Sequence, residues 1–274
     1  SPSHSTHSNR PARNAITRKA DMSKKAIGID IGGTGIKGAL VSVKKGEIVG
    51  ERIRVMTPEG GRPDDIARVV KELVQKLTSD RGSLPVGICF PAVVKNGKTM
   101  SAANISKEWI GLDAETLFEK ALGRHVHIMN DADAAGVAEI KFGAARKHKG
   151  LVFMSTLGTG IGTALFIKGE LVPNAELGHL EIDGVDYETQ AAYSAMEREG
   201  LTFAEWAQRL QKYYSTVERL FSPDLIIVGG GISKSHEEFL PLLKLNSPIV
   251  PAQKRNNAGI LGAAALAFKH RDEN

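Results

Sequence analysis

Gly33-Thr34-Gly35-Ile36-Lys37-Gly38-Ala39-Leu40 returns half a chain later as Gly158-Thr159-Gly160-Ile161-Gly162-Thr163-Ala164-Leu165, with six of the eight positions identical. Each copy follows a strand-like apolar run, 26–31 and then 151–155, and leads into another, 39–43 and then 164–167. Two such turns on matching hairpins predict a duplicated α/β fold, with backbone N–H groups from both halves facing one shared anion. Glycine suits that task because the missing Cβ lets the backbone come close to a ligand. Tight hairpins with no ligand would also use glycine. The repetition, the threonine in both copies, and Asp30 and Lys37 beside the first favour phosphate.

The spacing Gly33-x-Gly35-x-x-Gly38 formally fits the dinucleotide fingerprint, which requires a helix straight after the glycines. Here 39–43 reads as a strand, which argues against that fold. A P-loop needs Gly-Lys-Ser/Thr after four spacer residues, and none is present. A protein-kinase glycine loop is also strand–turn–strand, but neither His-Arg-Asp nor Asp-Phe-Gly follows.

Working outward, the order of elements is strands, helix, strand, helix, strand, helix, and then the same theme again. Pro63 with Asp64 and Asp65 opens a helix in which Ile66, Val69, Val70, Leu73 and Leu77 share one face. Asp113 is placed to cap a helix over Ala114–Leu122, with Gly123 stopping it. A strand over 125–129 ends at Asn130-Asp131, before a helix over 132–142. In the second half, Thr202 with Glu205 forms a capping box for a long helix ending at Phe221. A strand over 225–228 runs into Gly229-Gly230-Gly231, followed by helices expected over 235–243 and 258–270.

The 274 residues allow one large domain or two ordinary ones. No apolar run approaches the ~20 residues that span a bilayer, and no signal-peptide core is visible. A single cysteine, Cys89, can form neither an internal disulfide nor a cysteine-rich zinc site. A cytoplasmic setting follows. The net charge of +5 is misleading about partners: residues 1–25 carry six cations against Asp21, leaving 30 basic and 30 acidic residues over 26–274. That balance, with few aromatics, argues against nucleic acid as partner.

Asp30-Ile31-Gly32-Gly33-Thr34-Gly35-Ile36-Lys37 closely resembles the first phosphate segment of the ROK sugar kinases, in the actin/hexokinase-like superfamily. Leu157-Gly158-Thr159-Gly160-Ile161-Gly162 resembles the second phosphate segment, and Asp224-Leu225-Ile226-Ile227-Val228-Gly229-Gly230-Gly231 the adenosine segment. The motifs agree in order and span nearly the whole chain after the tail. The resemblance implies two ribonuclease-H-like lobes around a cleft. Their expected bounds are a disordered tail at 1–24, an N-terminal lobe at 25–136 and a C-terminal lobe at 137–255. The helical segment 256–274 would pack back on the first lobe. It also implies Mg²⁺, a homodimer, and the branch of the family that phosphorylates glucose, and mannose, from polyphosphate, ATP or both.

Carried onto this sequence, the resemblance makes Asp131 the general base for the sugar 6-hydroxyl, and Asn130 a sugar ligand. Without it, Asp131 would read equally well as a helix N-cap. Glu176-Leu177-Gly178-His179 resembles the family's Glu-x-Gly-His sugar motif, with Asn104 and Glu181 as further sugar-binding candidates. Asp30, Gly32, Gly33, Thr34, Gly35, Lys37, Gly158, Thr159 and Gly160 would bind phosphate, Asp30 would also hold Mg²⁺, and Gly229–Gly231 would face the nucleotide. Many family members follow this histidine with a zinc-binding cysteine cluster. Here Asp186-Tyr187-Glu188 follows without cysteine, so no structural zinc is expected and His179 is free for substrate. The family glutamate after that cluster is Glu188 or Glu197. The basic run Lys141–Lys149 is a candidate for polyphosphate or a solvated loop. A sugar-responsive regulator would need an N-terminal helix-turn-helix, which 25 polar residues do not supply.

Overall fold

The computed structural model describes residues 24–79 and 82–273; apart from Lys24, the tail expected over 1–24 lies outside the described residues. Strands β1 (Lys25–Ile31), β2 (Gly35–Ser42) and β3 (Glu47–Met56) form an antiparallel meander. β4 (Val86–Phe90) then adds parallel to β1. The short β5 (Val94–Lys95), β6 (Lys98–Thr99) and β7 (Leu112–Asp113) make a side sheet. β8 (Val126–Asn130) returns parallel to β4, completing the order β3-β2-β1-β4-β8.

The second half repeats this plan. β9 (Leu151–Leu157), β10 (Ile161–Ile167) and β11 (Glu170–Val172) form the meander. β12 (Glu181–Ile182) and β13 (Val185–Asp186) form a separate small hairpin. β14 (Leu225–Gly229) and β15 (Ile249–Pro251) then add in parallel, giving β11-β10-β9-β14-β15. Position for position the two sheets have the same order and directions.

The repeated phrase itself is not folded identically in the two copies. In the first hairpin Ile31 pairs with Ile36, leaving residues 32–35 as the loop. In the second, Leu157 pairs with Ile161, leaving only 158–160. Leu157 occupies the repeat position of Gly32, and it stays in the strand because its side chain is buried in the second core. The strand after each turn also begins earlier than expected, at Gly35 and Ile161.

Helix α1 (Pro63–Leu77) lays Ile66, Val70, Leu73 and Val74 on the outer face of the first sheet, joined there by α2 (Ala114–Leu122). Asp113 caps α2 by accepting the Thr116 N–H. α3 (Asp131–Phe142) follows β8 directly. In the second half come the short α4 (Glu188–Ala191) and α5 (Tyr193–Glu199), then α6 (Phe203–Phe221). The Thr202–Glu205 box caps α6, whose Trp206, Leu210, Tyr213, Tyr214 and Val217 cover Phe153, Ile226 and Val228 of the second sheet.

The helix expected over 235–243 is not one. The chain makes 3₁₀ turns over Gly231–Glu238 and Leu240–Leu242, broken at Phe239. Pro241 has no N–H to donate, and its ring clashes with the preceding turn.

The last helix, α7 (Ala258–Lys269), lies between the sheets and packs on β1, β4 and α3. Its composition explains its place. A Cβ on Gly262 would sit 1.6 Å from the Ala134 carbonyl oxygen, and one on Gly87 2.0 Å from that of Ala263. Backbone lies directly against backbone here, and alanines fill the rest. α3 reaches the opposite sheet in the same way, with Gly136 facing Ala164 and Phe166 of β10. The two helices thus tie both sheets to one central layer.

Candidate active site

Between the carboxyl ends of the two sheets lies a cleft of about 760 Å³. Residues 91–93, 101–104 and Asn130-Asp131-Ala132 line it from the first half. The second half supplies residues 156–163, Glu176, His179, Glu188, Gly230 and Gly231.

Asn130 and Asp131 stand where β8 becomes α3, and the helix cap divides their work. Asn130, almost fully buried, is the N-cap: its Oδ1 accepts the Asp133 N–H at 3.1 Å. Its Nδ2 donates to the Ala92 carbonyl at 2.9 Å, fixing the opposite wall of the cleft. Asp131 is therefore the first helical residue and is released from the capping role. Its Oδ1 accepts only its neighbour's N–H, from Ala132 at 2.8 Å. Burial raises its pKa to about 7, with the nearby negative charge of Asp30 adding to the effect. A carboxylate poised near neutrality suits proton abstraction.

Asp30 lies opposite Lys37 in the first hairpin, with Oδ2 3.6 Å from Nζ, and its Oδ1 accepts the buried Cys89 thiol at 3.4 Å. Burial and these carboxylates push the Cys89 thiol well up, which keeps it protonated. Lys37 also donates to the Asn256 carbonyl at 3.1 Å, ahead of α7. The turn 32–35 is closed by Gly32 N–H to Gly35 O and pinned by Thr57, whose hydroxyl donates to Gly32 O at 2.6 Å. Gly33 backs onto the Asn104 carbonyl, which a Cβ would approach to 2.8 Å. Asn104 itself is left-handed, φ 58°, and lines the cleft. Thr34 is exposed, and the first turn borders the cleft at Asn104 rather than lining it.

The second turn, by contrast, faces the cavity with Gly158, Thr159 and Gly160. Ser194 holds it from behind, donating from its hydroxyl to Thr159 O at 2.6 Å and from its N–H to Gly158 O at 3.0 Å. Gly230 and Gly231 complete that wall, while Gly229 is the last residue of β14. Gly230 has φ 91°, and a Cβ would come 2.3 Å from Leu157 O, so glycine is required on both counts.

One side of the cleft is an acidic cage around His179. Its Nδ1 lies 2.9 Å from Asp186 and 3.6 Å from Glu188, and its Nε2 is 3.9 Å from Glu176. The Asp186 hydrogen bond raises the histidine pKa, with the other carboxylates adding to it. Burial raises Glu176. Asp186 thus orients the His179 ring through Nδ1, while the residue lines the cleft. The ligand atoms of His179, Asp186 and Glu188 lie within 4.8 Å of one another, a set that could hold a cation.

Of the two glutamates left open, Glu188 is the one at the cleft. It lines the cleft, accepts the Ile161 N–H at 2.8 Å and lies against Gly160, whereas Glu197 is exposed elsewhere. It thereby joins His179 to the second glycine turn. Glu181 does not reach the site. It begins β12 with its side chain in a separate depression shared with Asp183, Lys212 and Arg219. The run Lys141–Lys149 also lies outside the cleft lining; burial and Lys269 lower the Lys141 pKa, and Glu170 is close by. Trp109 is core, donating to Gly61 O at 2.8 Å.

Asp133 was not anticipated. It is buried at the first turn of α3, accepts the Asn174 N–H at 2.9 Å, and burial raises its pKa to about 7. The signal was an acid at an apolar helix position, which the Asn130-Asp131 pair overshadowed.

Residues 26–202 match the ROK family. The chain is 42% identical over 249 residues to the polyphosphate glucokinase of Mycobacterium tuberculosis, covering 90% of this chain and 93% of that one. The inorganic polyphosphate/ATP-glucomannokinase of Arthrobacter sp. strain KM superposes with a TM-score of 0.85 at 52% identity, covering 90% of this chain and 99% of that one. A ROK family glucokinase from Streptomyces griseus, solved with glucose and AMPPNP, shares the fold at TM-score 0.73 and 24% identity, covering 89% and 99%. The fold is thus the actin/hexokinase-like one of the ROK sugar kinases. With the duplicated sheets, the paired glycine turns and the Asn-Asp helix start all in place, the chain belongs to the ROK family.

Proposed function

We propose that the protein transfers a phosphoryl group from inorganic polyphosphate or ATP to the 6-hydroxyl of glucose, and also of mannose, with Asp131 as general base. The observation that carries the reading is Asp131 itself: a half-buried carboxylate at a helix start, relieved of capping by Asn130 and poised near neutrality inside the cleft. The similarity to a polyphosphate glucokinase and a polyphosphate/ATP-glucomannokinase supports the donor and acceptor classes.

In this reading Glu176, His179, Glu188 and Asn104 hold the sugar hydroxyls, the carboxylates accepting and the histidine bonding through Nε2 because Nδ1 is taken by Asp186. Asp131 takes the 6-hydroxyl proton as that oxygen attacks the terminal phosphorus. The bond from phosphorus to the rest of the donor breaks, and its electron pair leaves with ADP or the shortened polyphosphate. The Thr159 and Gly160 backbone and Lys37 offset the charge on the transferring group, which matters more here than covalent help.

Asp30 fits Mg²⁺: a hard-oxygen carboxylate beside the first glycine turn, paired with Lys37 and near enough to Asp131 to raise its pKa. Bound there, Mg²⁺ would neutralise donor oxygens. The same reading places the protein in the cytoplasm; no helix among the described residues is long and apolar enough to cross a membrane.

A coupled assay of glucose and mannose, each with polyphosphate and with ATP, tests the proposal. Asp131→Asn is expected to lower kcat by ~10²–10⁴ with each active pair. Unchanged turnover in that variant would remove Asp131 from the mechanism, and no transfer from polyphosphate would remove that donor alone.

A further inference from the structure

We infer that a cationic groove running outward from Lys37 holds the unreacted part of a polyphosphate chain, an inference that rests on the donor reading above. The groove has a volume of about 510 Å³, and its lining includes Arg52, Lys234, Lys254 and Arg255 with no carboxylate. Asn256 and Asn257 complete its floor.

Its position joins it to the cleft from two sides. On the first sheet, Lys37 contacts both Asp30, whose charge reaches Asp131 of the cleft, and Asn256 in the groove. Arg54 is its cross-strand partner, with a guanidinium lying over Gly35 of the first turn. Arg52, two residues along the same strand, donates to Asn257 Oδ1 at 2.9 Å. On the second half, Gly231 lines the cleft, and Lys234 follows on the same 3₁₀ segment and lines the groove. A chain leaving the reacting phosphate therefore passes from the glycine turns straight between these cations.

The loop bearing Lys254 is fixed in place. Glu139 is wholly buried in α3, and its Oε1 accepts the N–H groups of Gln253 at 2.7 Å and Lys254 at 2.8 Å. Some surface cations elsewhere have carboxylate partners, as in Arg62–Glu108, Arg209–Glu199 and Lys269–Glu170, whereas others stand singly; what marks the groove is four cations lining one depression with no carboxylate among them. Among the described residues, the four groove cations form no ion pair, and like charges held together without a counter-charge repel. A polyanion supplies that counter-charge at every repeat. The adenosine end of ATP carries no charge to place there, so the groove discriminates between donors. The run Lys141–Lys149 plays no part.

The test uses the full-length protein and the variant Arg52→Gln/Lys234→Gln/Lys254→Gln, with long-chain polyphosphate, tripolyphosphate and ATP as donors. The KM for long-chain polyphosphate should rise about tenfold, roughly the sum of three partly screened charge contacts. The KM for ATP and for tripolyphosphate, and kcat with ATP, should stay within about twofold, which also reports correct folding. An unchanged KM for long chains, or an equal rise for all three donors, would overturn the groove while leaving the donor reading intact. Wild-type protein that turns over ATP but no polyphosphate of any length would overturn the donor reading, and the groove with it.

Discussion

At the residue scale the decisive event is the handover between Asn130 and Asp131. A helix start needs one side chain to satisfy its early N–H groups, and Asn130 does so while also bracing Ala92. Asp131 is left half-buried, weakly solvated and within reach of the Asp30 charge, and that costs stability. Its pKa of about 7 in the folded chain exceeds the ~3.9 of an unfolded aspartate. The folded state thus holds the proton more tightly, so this contribution favours folding below pH ~4 and is lost as pH rises through about 7. Asp131→Asn, which cannot ionise, should therefore be the more stable protein at pH 8 without divalent cations, by up to about 4 kcal/mol, and nearly matched at pH 4. Denaturant melts at the two pH values check this; equal stabilities at pH 8 would mean that the carboxylate is not strained. In wild type, kcat/KM should fall on the acid side with an apparent pKa near 7, because only the ionised form accepts the proton. Mg²⁺ beside the carboxylates should draw that limb to lower pH.

At the element scale, two hairpins and one helix carry the arrangement. The repeated phrase was legible as duplication because its glycines, threonine and flanking apolar runs are local signals. The one-residue difference in register was not, since it depends on Leu157 finding a tertiary pocket that no neighbouring residue announces. The caps at Asp113 and Thr202 were legible for the same local reason. Glu181 was misjudged because nearness in sequence to His179 says nothing about which way a strand turns. Glu188 lies farther along the chain and yet reaches Ile161 at 2.8 Å. The alanine-rich character of α7 was visible, whereas its backbone contact with β4 emerges only from the packing. Gly87→Ala tests that contact. The new methyl would lie 2.0 Å from the Ala263 carbonyl, with backbone on both sides and no flexible side chain to yield. Overpacking of this kind costs about 1–3 kcal/mol, and each kcal/mol lowers Tm by roughly 2–4 °C in a chain of this size. A Tm within a degree of wild type would show that α7 shifts freely, and the central layer would then not be the rigid tie between the sheets.

At the scale of the whole molecule, charge is sorted along the path from acceptor to donor. Glu176, Asp186 and Glu188 gather around His179 at the proposed sugar end, Asp30 and Asp131 stand at the proposed point of transfer, and Lys37 leads to the cations of the groove. A net charge of +5 conceals this gradient, because the cations of the first 25 residues account for its size. The two substrates should therefore respond differently to salt. Glucose is neutral and in the proposed reading is held by hydrogen bonds, which screening barely affects. Polyphosphate is drawn by partly exposed cations over a distance comparable with the Debye length, ~10 Å at 0.1 M salt and ~3 Å at 1 M. Raising salt from about 0.05 to about 0.5 M should raise the KM for long-chain polyphosphate severalfold, largely through slower capture, while the KM for glucose stays within about twofold. Initial rates with one substrate varied and the other saturating separate the two effects. A salt response shared equally by both KM values would point to a change in the enzyme as a whole. A response confined to polyphosphate would locate the charge where the donor enters.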